Sequence, residues 1–244
     1  DSFHVWEWAS PVTHRHYILK DKLIEWGNRL VRLEVAVDIT EKENVSYETQ
    51  RKLEIEKTLL ECVRILGQEE NFSKGVDMVL ANLGTFHEAD RAYIFEEAVL
   101  KDGRRCFNNT HEWCAPGVTA QKENLQNVPF EAVSVWLKHF ARNQNIAIND
   151  IEHIREERPL EYSILKPQGI HSLICVPIRF EGGMGFIGLD NPARNQNDFS
   201  LLESLVFFVS NERNKRNVAN RLWEMSFSDS LTGLNNRNSY IQEL

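Results

Sequence analysis

The chain has 244 residues, 42% of them hydrophobic, enough to bury one large core or two smaller ones. Its 28 basic and 36 acidic residues give a net charge of −8, which argues against a broad phosphate-binding surface and so against a nucleic-acid partner. No apolar stretch approaches the roughly 20 residues that a bilayer span needs, no signal-peptide pattern opens the chain, and Cys62, Cys106, Cys114 and Cys175 lack zinc-ligand spacing, so a reduced, cytoplasmic segment without metal is expected.

In chain order, residues 3–8 offer a first strand, and Tyr17–Trp26 and residues 29–38 predict a hairpin joined through Gly27-Asn28. In R-L-V-R-L-E-V-A-V-D, Val31, Leu33, Val35 and Val37 alternate with Arg32, Glu34 and Ala36, the pattern of a half-buried strand. Three strands alone leave an apolar face wet, so a cover from upstream residues or another subunit is expected. From Val45 to Leu66 the period becomes helical, with Ile55, Leu59, Cys62 and Leu66 on one stripe. Three turns of stripe fit a coiled-coil seam and an amphipathic helix lying on its own domain equally well.

Phe72, Val76, Val79, Leu80 and Leu83 mark the next helix and Arg91–Glu97 a strand; Val133, Trp136, Leu137 and Phe140 mark another helix. His171–Phe180 and Met184–Asp190 predict a hairpin across Glu181-Gly182-Gly183, with Pro177 at an edge or bulge because it has no N–H to give a ladder. A last helix opens at Ser200, where Glu203 completes a capping box, and runs through Leu201, Leu202, Leu205, Val206 and Val209. Asn211–Asn217 is polar all round and reads as a solvated extension. Helical connectors on both sides of an α+β body suit the relay of motion better than chemistry.

Near the end stands D-S-L-T-G-L-N-N-R, in which Gly233 permits a turn, Thr232 and Asn235 can cap a new helix, and Leu231 and Leu234 anchor it. Asp229, Leu231, Thr232, Gly233, Leu234, Asn236 and Arg237 resemble the opening motif of GGDEF domains, the catalytic domains of diguanylate cyclases. The resemblance implies that the GTP and magnesium sites lie downstream, so no catalytic residue and no cofactor is expected within these 244 residues. The chain starts without Met and stops just after this motif, so a piece of a longer protein is expected, with any upstream membrane anchor outside it.

V-A-V-D-I-T-E, Val35–Glu41, together with the K-D-K-L-I-E-W hairpin, resembles the end of a PAS domain; Asp38 and Thr40 suit the strand-to-helix corner. The pocket-forming part of such a domain is missing, so neither haem nor flavin is expected. T-H-E-W-C-A-P-G-V (Thr110–Val118), N-L-Q-N-V-P (Asn124–Pro129), L-I-C-V-P-I and G-F-I-G-L-D resemble a GAF domain. The resemblances imply an α+β chain, a GAF-like domain with a central antiparallel sheet flanked by helices, preceded by a PAS C-terminal hairpin and a helical linker. The expected boundaries are 1–44 for the PAS strands, 45–66 and 211–228 for helical linkers, 67–210 for the GAF domain and 229–244 for the start of the GGDEF domain.

The GAF resemblance implies a small-molecule pocket, for which Tyr93, Phe95, Trp113, Trp136, Ser172 and Cys175 are the candidates. Phe95 and Cys175, set in apolar strand runs, also read as plain core, and Trp113 as a loop-packing residue beside Pro116-Gly117. The implied function is the regulatory, sensory segment of a homodimeric diguanylate cyclase that responds to an unidentified small molecule. Two alternatives stand beside it. One is a non-sensing dimerisation scaffold; the other is a thiol-dependent reductase on the same fold, using Cys106 and Cys114 near Arg104, Arg105 and His111.

Overall fold

The alternation in residues 29–38 does form a strand, but an exposed one. The computed structural model describes residues 3–181 and 183–227, and the chain divides into two units, Asp1–Lys57 and Thr58–Leu244. The first unit holds β1 (His4–Ala9), β2 (His16–Trp26) and β3 (Arg29–Asp38), paired antiparallel in that order. Trp26 pairs with Arg29 across Gly27-Asn28, and only Gly27 takes a positive φ, of 63°. Every residue of β3 is exposed. The expectation of a half-buried strand is corrected: the described residues of this unit supply no second layer over Val31, Leu33, Val35 and Val37. At the corner after β3, Asp38 Oδ1 accepts from the Thr40 amide at 2.9 Å and its hydroxyl at 2.6 Å, bonds that hold the Asp38 carboxyl below its usual range. Helix α1 starts there and runs Thr40–Gln68, longer at both ends than its apolar stripe predicts.

The second unit takes in the last turns of α1, where Cys62, Ile65 and Leu66 are buried, and then α2 (Phe72–His87), β4 (Arg91–Val99), β5 (Arg105–Cys114) and β6 (Val128–Pro129). There follow α3 (Ser134–Phe140), β7 (Ile146–Ile148), α4 (Pro159–Leu165), β8 (Leu173–Phe180), β9 (Gly183–Asp190) and α5 (Ser200–Phe227). Six strands make one antiparallel sheet in the order β6-β5-β4-β9-β8-β7. Side chains alternate across it. Helices α2 and α5 pack on one face, burying Val76, Val79, Leu83, Leu202, Leu205 and Val209. The other face carries an aromatic core in which Phe107, Trp136, Phe140 and Phe186 meet under α3 and α4.

Several expectations shift in detail. Pro177 lies beyond the stretch Leu173–Cys175 that pairs with β7, where β8 has become an edge. Ser200 does not cap α5 with Glu203. The Asp198 carboxylate takes the Ser200 amide at 3.0 Å and its hydroxyl at 2.6 Å, while Glu203 accepts from Asn145 at 2.7 Å. The polar run Asn211–Asn217 is not simply solvated, because Arg213 and Arg216 reach back onto the unit. The motif Asp229–Arg237, with Leu231, Thr232, Gly233, Leu234 and Asn236, lies outside the described residues, as does Gly182.

Candidate functional site

On the α3/α4 face of the sheet is a cavity of about 50 Å³. Its walls are mostly apolar because consecutive odd positions of β4, Tyr93 and Phe95, share that face with Phe186 of β9. Phe95 stacks on Phe186 with centroids 4.9 Å apart, and Trp136 of α3 meets Phe186 edge-on at 5.5 Å. Three residues with polar side chains, Glu112, Gln168 and Asp190, also line it.

Behind the wall runs a buried polar network. Arg91 at the start of β4 and Asp190 at the end of β9 pair in the register, and Arg91 Nε donates to Asp190 Oδ2 at 2.9 Å. The Arg91 guanidinium also donates to the carbonyls of Thr119 (3.1 Å) and Gln168 (2.8 Å), fixing two loops, the second of which brings Gln168 to the cavity. Tyr93 donates its hydroxyl to Asp190 Oδ1 at 2.9 Å and lies 3.7 Å from the Cys175 sulfur. Burial pushes Asp190 up to about 6 while Arg91 and Tyr93 pull it down. Burial, reinforced by Asp190, raises the Tyr93 hydroxyl, and burial raises the Cys175 thiol.

Two more carboxylates shape the site. Glu112 Oε2 accepts from the amides of Gln121 (2.8 Å) and Lys122 (2.9 Å), and Oε1 from Asn109 Nδ2 at 3.2 Å, so it pins the loop after β5 across the cavity. Glu161 of α4 takes the Trp136 indole N–H at 2.7 Å and Arg158 at 3.3 Å; burial raises its pKa against these two partners.

Of the six residues expected at a pocket, Tyr93, Phe95 and Trp136 line the cavity; Trp113, Ser172 and Cys175 do not. Trp113 pairs with Ala92, one position off the cavity face, and packs on Gly84 of α2, where a Cβ would come within 2.1 Å of its ring. Ser172 is tied by its backbone to Asn191, away from the lining, and Cys175 sits behind Tyr93. The residues missed by sequence reading, Arg91, Glu112, Gln168 and Asp190, left one signal. Arg91 and Asp190 are single charges at the ends of apolar strand runs, and a charge buried there requires a partner.

The reductase alternative is corrected by geometry. Cys106 and Cys114 lie eight residues apart on one extended strand, roughly 26 Å along it, whereas a disulfide needs Cα atoms within about 7 Å. Burial, then Glu112, pushes the Cys114 thiol up to about 11.

The opposite face links the sheet to its flanking helices. Arg213 of α5 donates to Glu96 Oε2 of β4 at 2.7 Å and lies over the Phe180 ring at 4.1 Å. Arg216, one turn on, donates to the carbonyls of Leu66 (2.8 Å), Glu69 (2.7 Å) and Glu70 (2.7 Å) at the end of α1, and to Glu212 at 2.8 Å. No helix among the described residues is long and apolar enough to cross a membrane.

Comparison with known proteins places this architecture. The chain is 35% identical over 121 residues to the methanogenesis regulatory histidine kinase FilI of Methanothrix harundinacea (strain 6Ac), an alignment covering 48% of this chain and 13% of that protein. It superposes with a TM-score of 0.54 at 12% identity on the phycoerythrobilin-bound GAF domain from a cyanobacterial phytochrome, over 69% of this chain and 99% of that one. Bacteriophytochrome RpBphP3 from R. palustris gives 0.53 at 13% identity, over 99% of this chain and 49% of that one. The GAF domain of a phosphoenolpyruvate-protein phosphotransferase from Coxiella burnetii gives 0.50 at 15% identity, over 68% and 96%. These likenesses show the fold. The GAF domain family model matches residues 72–212, more than half of the chain, and with its antiparallel sheet and flanking helices the chain belongs to the GAF domain family.

Proposed function

We propose that the chain is the regulatory, sensory segment of a cytoplasmic, homodimeric diguanylate cyclase. In this reading the GAF domain takes a small molecule into the cavity and signals through α1 and α5 to a GGDEF domain opened by Asp229–Arg237. GTP and magnesium belong to that downstream domain, and β1–β3 are the last strands of a PAS domain. One observation carries the sensory part: Phe95 lines the cavity, and its chain neighbour Glu96 holds Arg213 of α5 on the other face of the same strand. A ligand that displaces β4 therefore acts on the helix leading to the output. It changes the balance of two arrangements only by binding them unequally.

The small cavity volume is what favours a second reading, a dimerisation scaffold with a filled core. The regulatory histidine kinase among the relatives supports a signalling role while leaving the output class to the GGDEF-like motif. The test is cyclic di-GMP production from GTP by the parent protein, with and without Val133→Phe, which fills the cavity. Production whose response to cell extract metabolites vanishes in the variant supports sensing. Production indifferent to the variant supports the scaffold, and absence of product removes the cyclase.

A further inference from the structure

This inference rests on the cavity being the sensing site. Each lining side chain that carries a donor already spends one inside the protein: Tyr93 to Asp190, the Trp136 indole to Glu161, and Gln168 Nε2, with one of its two N–H groups, to the Ile164 carbonyl at 2.7 Å. Acceptors are in surplus. Gln168 Oε1 receives no donor among the described residues. Asn109, behind the lining on the same side of the sheet, opposite Phe95 in the register, is 1% exposed, and its Oδ1 is without a partner among the described residues. Asp190 is ion-paired to Arg91; Glu112, which Arg91 reaches only through space, makes no ion pair among the described residues and accepts three N–H bonds and the Cys114 thiol, so one cation stands against two carboxylates. The uncompensated charge at the cavity is thus negative, and it faces the aromatic rings of Phe95, Trp136 and Phe186, whose π-faces also attract cations.

We propose that the cavity binds a small primary ammonium compound, its N–H donors directed at Glu112 and Gln168 and its short alkyl body against the aromatic wall. Size sets the class: 50 Å³ at about 10–15 Å³ per water-sized group admits roughly three to five heavy atoms.

The test is a ¹H–¹⁵N NMR titration of the full chain with n-propylammonium chloride, sodium propionate and 1-propanol at matched ionic strength. Expected are saturable shifts at Tyr93, Glu112 and Gln168 with propylammonium, binding about tenfold tighter than propionate, and about tenfold weaker binding in Glu112→Gln. Binding of 1-propanol, unchanged in that variant, reports that the cavity has survived the substitution. Propionate binding as tightly as the ammonium, propanol binding alone, or undiminished ammonium binding in Glu112→Gln overturns the cationic assignment and leaves the sensing site standing. No saturable shift with any of the three overturns both.

Discussion

Arg213 and Glu96 join α5 to the central strand of the sheet at 2.7 Å, and Glu96 is itself held by the Thr110 hydroxyl at 3.1 Å. Arg213 also covers the Phe180 ring. Because both partners are mostly buried, the pair and the ring contact together contribute about 1–2 kcal/mol. Arg213→Ala should lower the urea midpoint accordingly. Lysine at this position should recover only part, since it keeps the charge and loses the flat guanidinium surface. An unchanged midpoint in the alanine variant would show that the Arg213–Glu96 contact does not clamp α5 to the sheet.

Arg216 closes the end of α1 and the turn after it. The last carbonyls of a helix have no intrahelical donor, and here one guanidinium serves Leu66 in the last turn and Glu69 and Glu70 just beyond it, while Glu212 neutralises it. Arg216→Ala leaves these carbonyls without their donor and should cost about 1.5–3 kcal/mol. Hydrogen exchange is the direct check: amides from 66 to 72 and along the start of α2 should exchange faster, with β8 and β9 unaffected. Uniform exchange across the unit would mean that the contact is not local.

The elements with strong apolar periods were legible in the sequence, and the cavity was half legible. Helix α2 and the β8–β9 hairpin stand out because their core residues recur at one period against polar neighbours. Strand β5 does not, since R-C-F-N-N-T-H-E-W-C uses its polar side chains inside the fold: Asn108 and Glu112 hold the following loop, Asn109 braces Glu112, and Thr110 holds Glu96. The register shift at Ile94/Phe95 further blurs the alternation between β4 and β5. Aromatic lining residues advertise themselves by size, which is why Tyr93, Phe95 and Trp136 could be picked out. Trp113 stands out for the same reason, and only the pairing register shows that it faces the helices. Glu112 and Gln168 lie in segments with no periodic signal, and their role depends on contacts made across the sheet.

The Arg91–Asp190 pair predicts an asymmetry between breaking and replacing. Both side chains are almost fully buried, so Asp190→Asn strands a buried cation and should cost about 3–5 kcal/mol. Replacing both, as Arg91→Met with Asp190→Leu, removes the desolvation of two ions and should be milder than the single change. Thermal melts of the three proteins decide it. A double variant worse than Asp190→Asn would show that the carbonyls of Thr119 and Gln168 depend on Arg91 more than Asp190 does.

Gly84 and Trp113 form a second coupled pair. Gly84→Ala places a methyl inside the Trp113 ring position, and overpacking of this kind costs about 1–3 kcal/mol or more. Adding Trp113→Leu should return part of that loss, giving a non-additive cycle; strictly additive effects would contradict the contact.

His111 supplies the pH prediction. Its ring lies 3.0 Å from Ser73 Oγ on α2 and 3.1 Å from Thr110 Oγ1, and burial lowers its pKa below the model-peptide value of 6.5. Asp77 and Glu96 pull the other way, while Lys122 and Arg213 add to the lowering. The unfolded chain therefore binds a proton that the folded chain resists, in the window from about 6.5 downward to the lowered folded pKa. Stability rises with pH through that window and is lost as pH falls, because protonation favours the unfolded state. His111→Gln keeps a polar side chain without the titration. Urea midpoints between pH 7 and 5 should fall further for the wild type than for His111→Gln, and parallel curves would show that this ring does not drive the acid sensitivity.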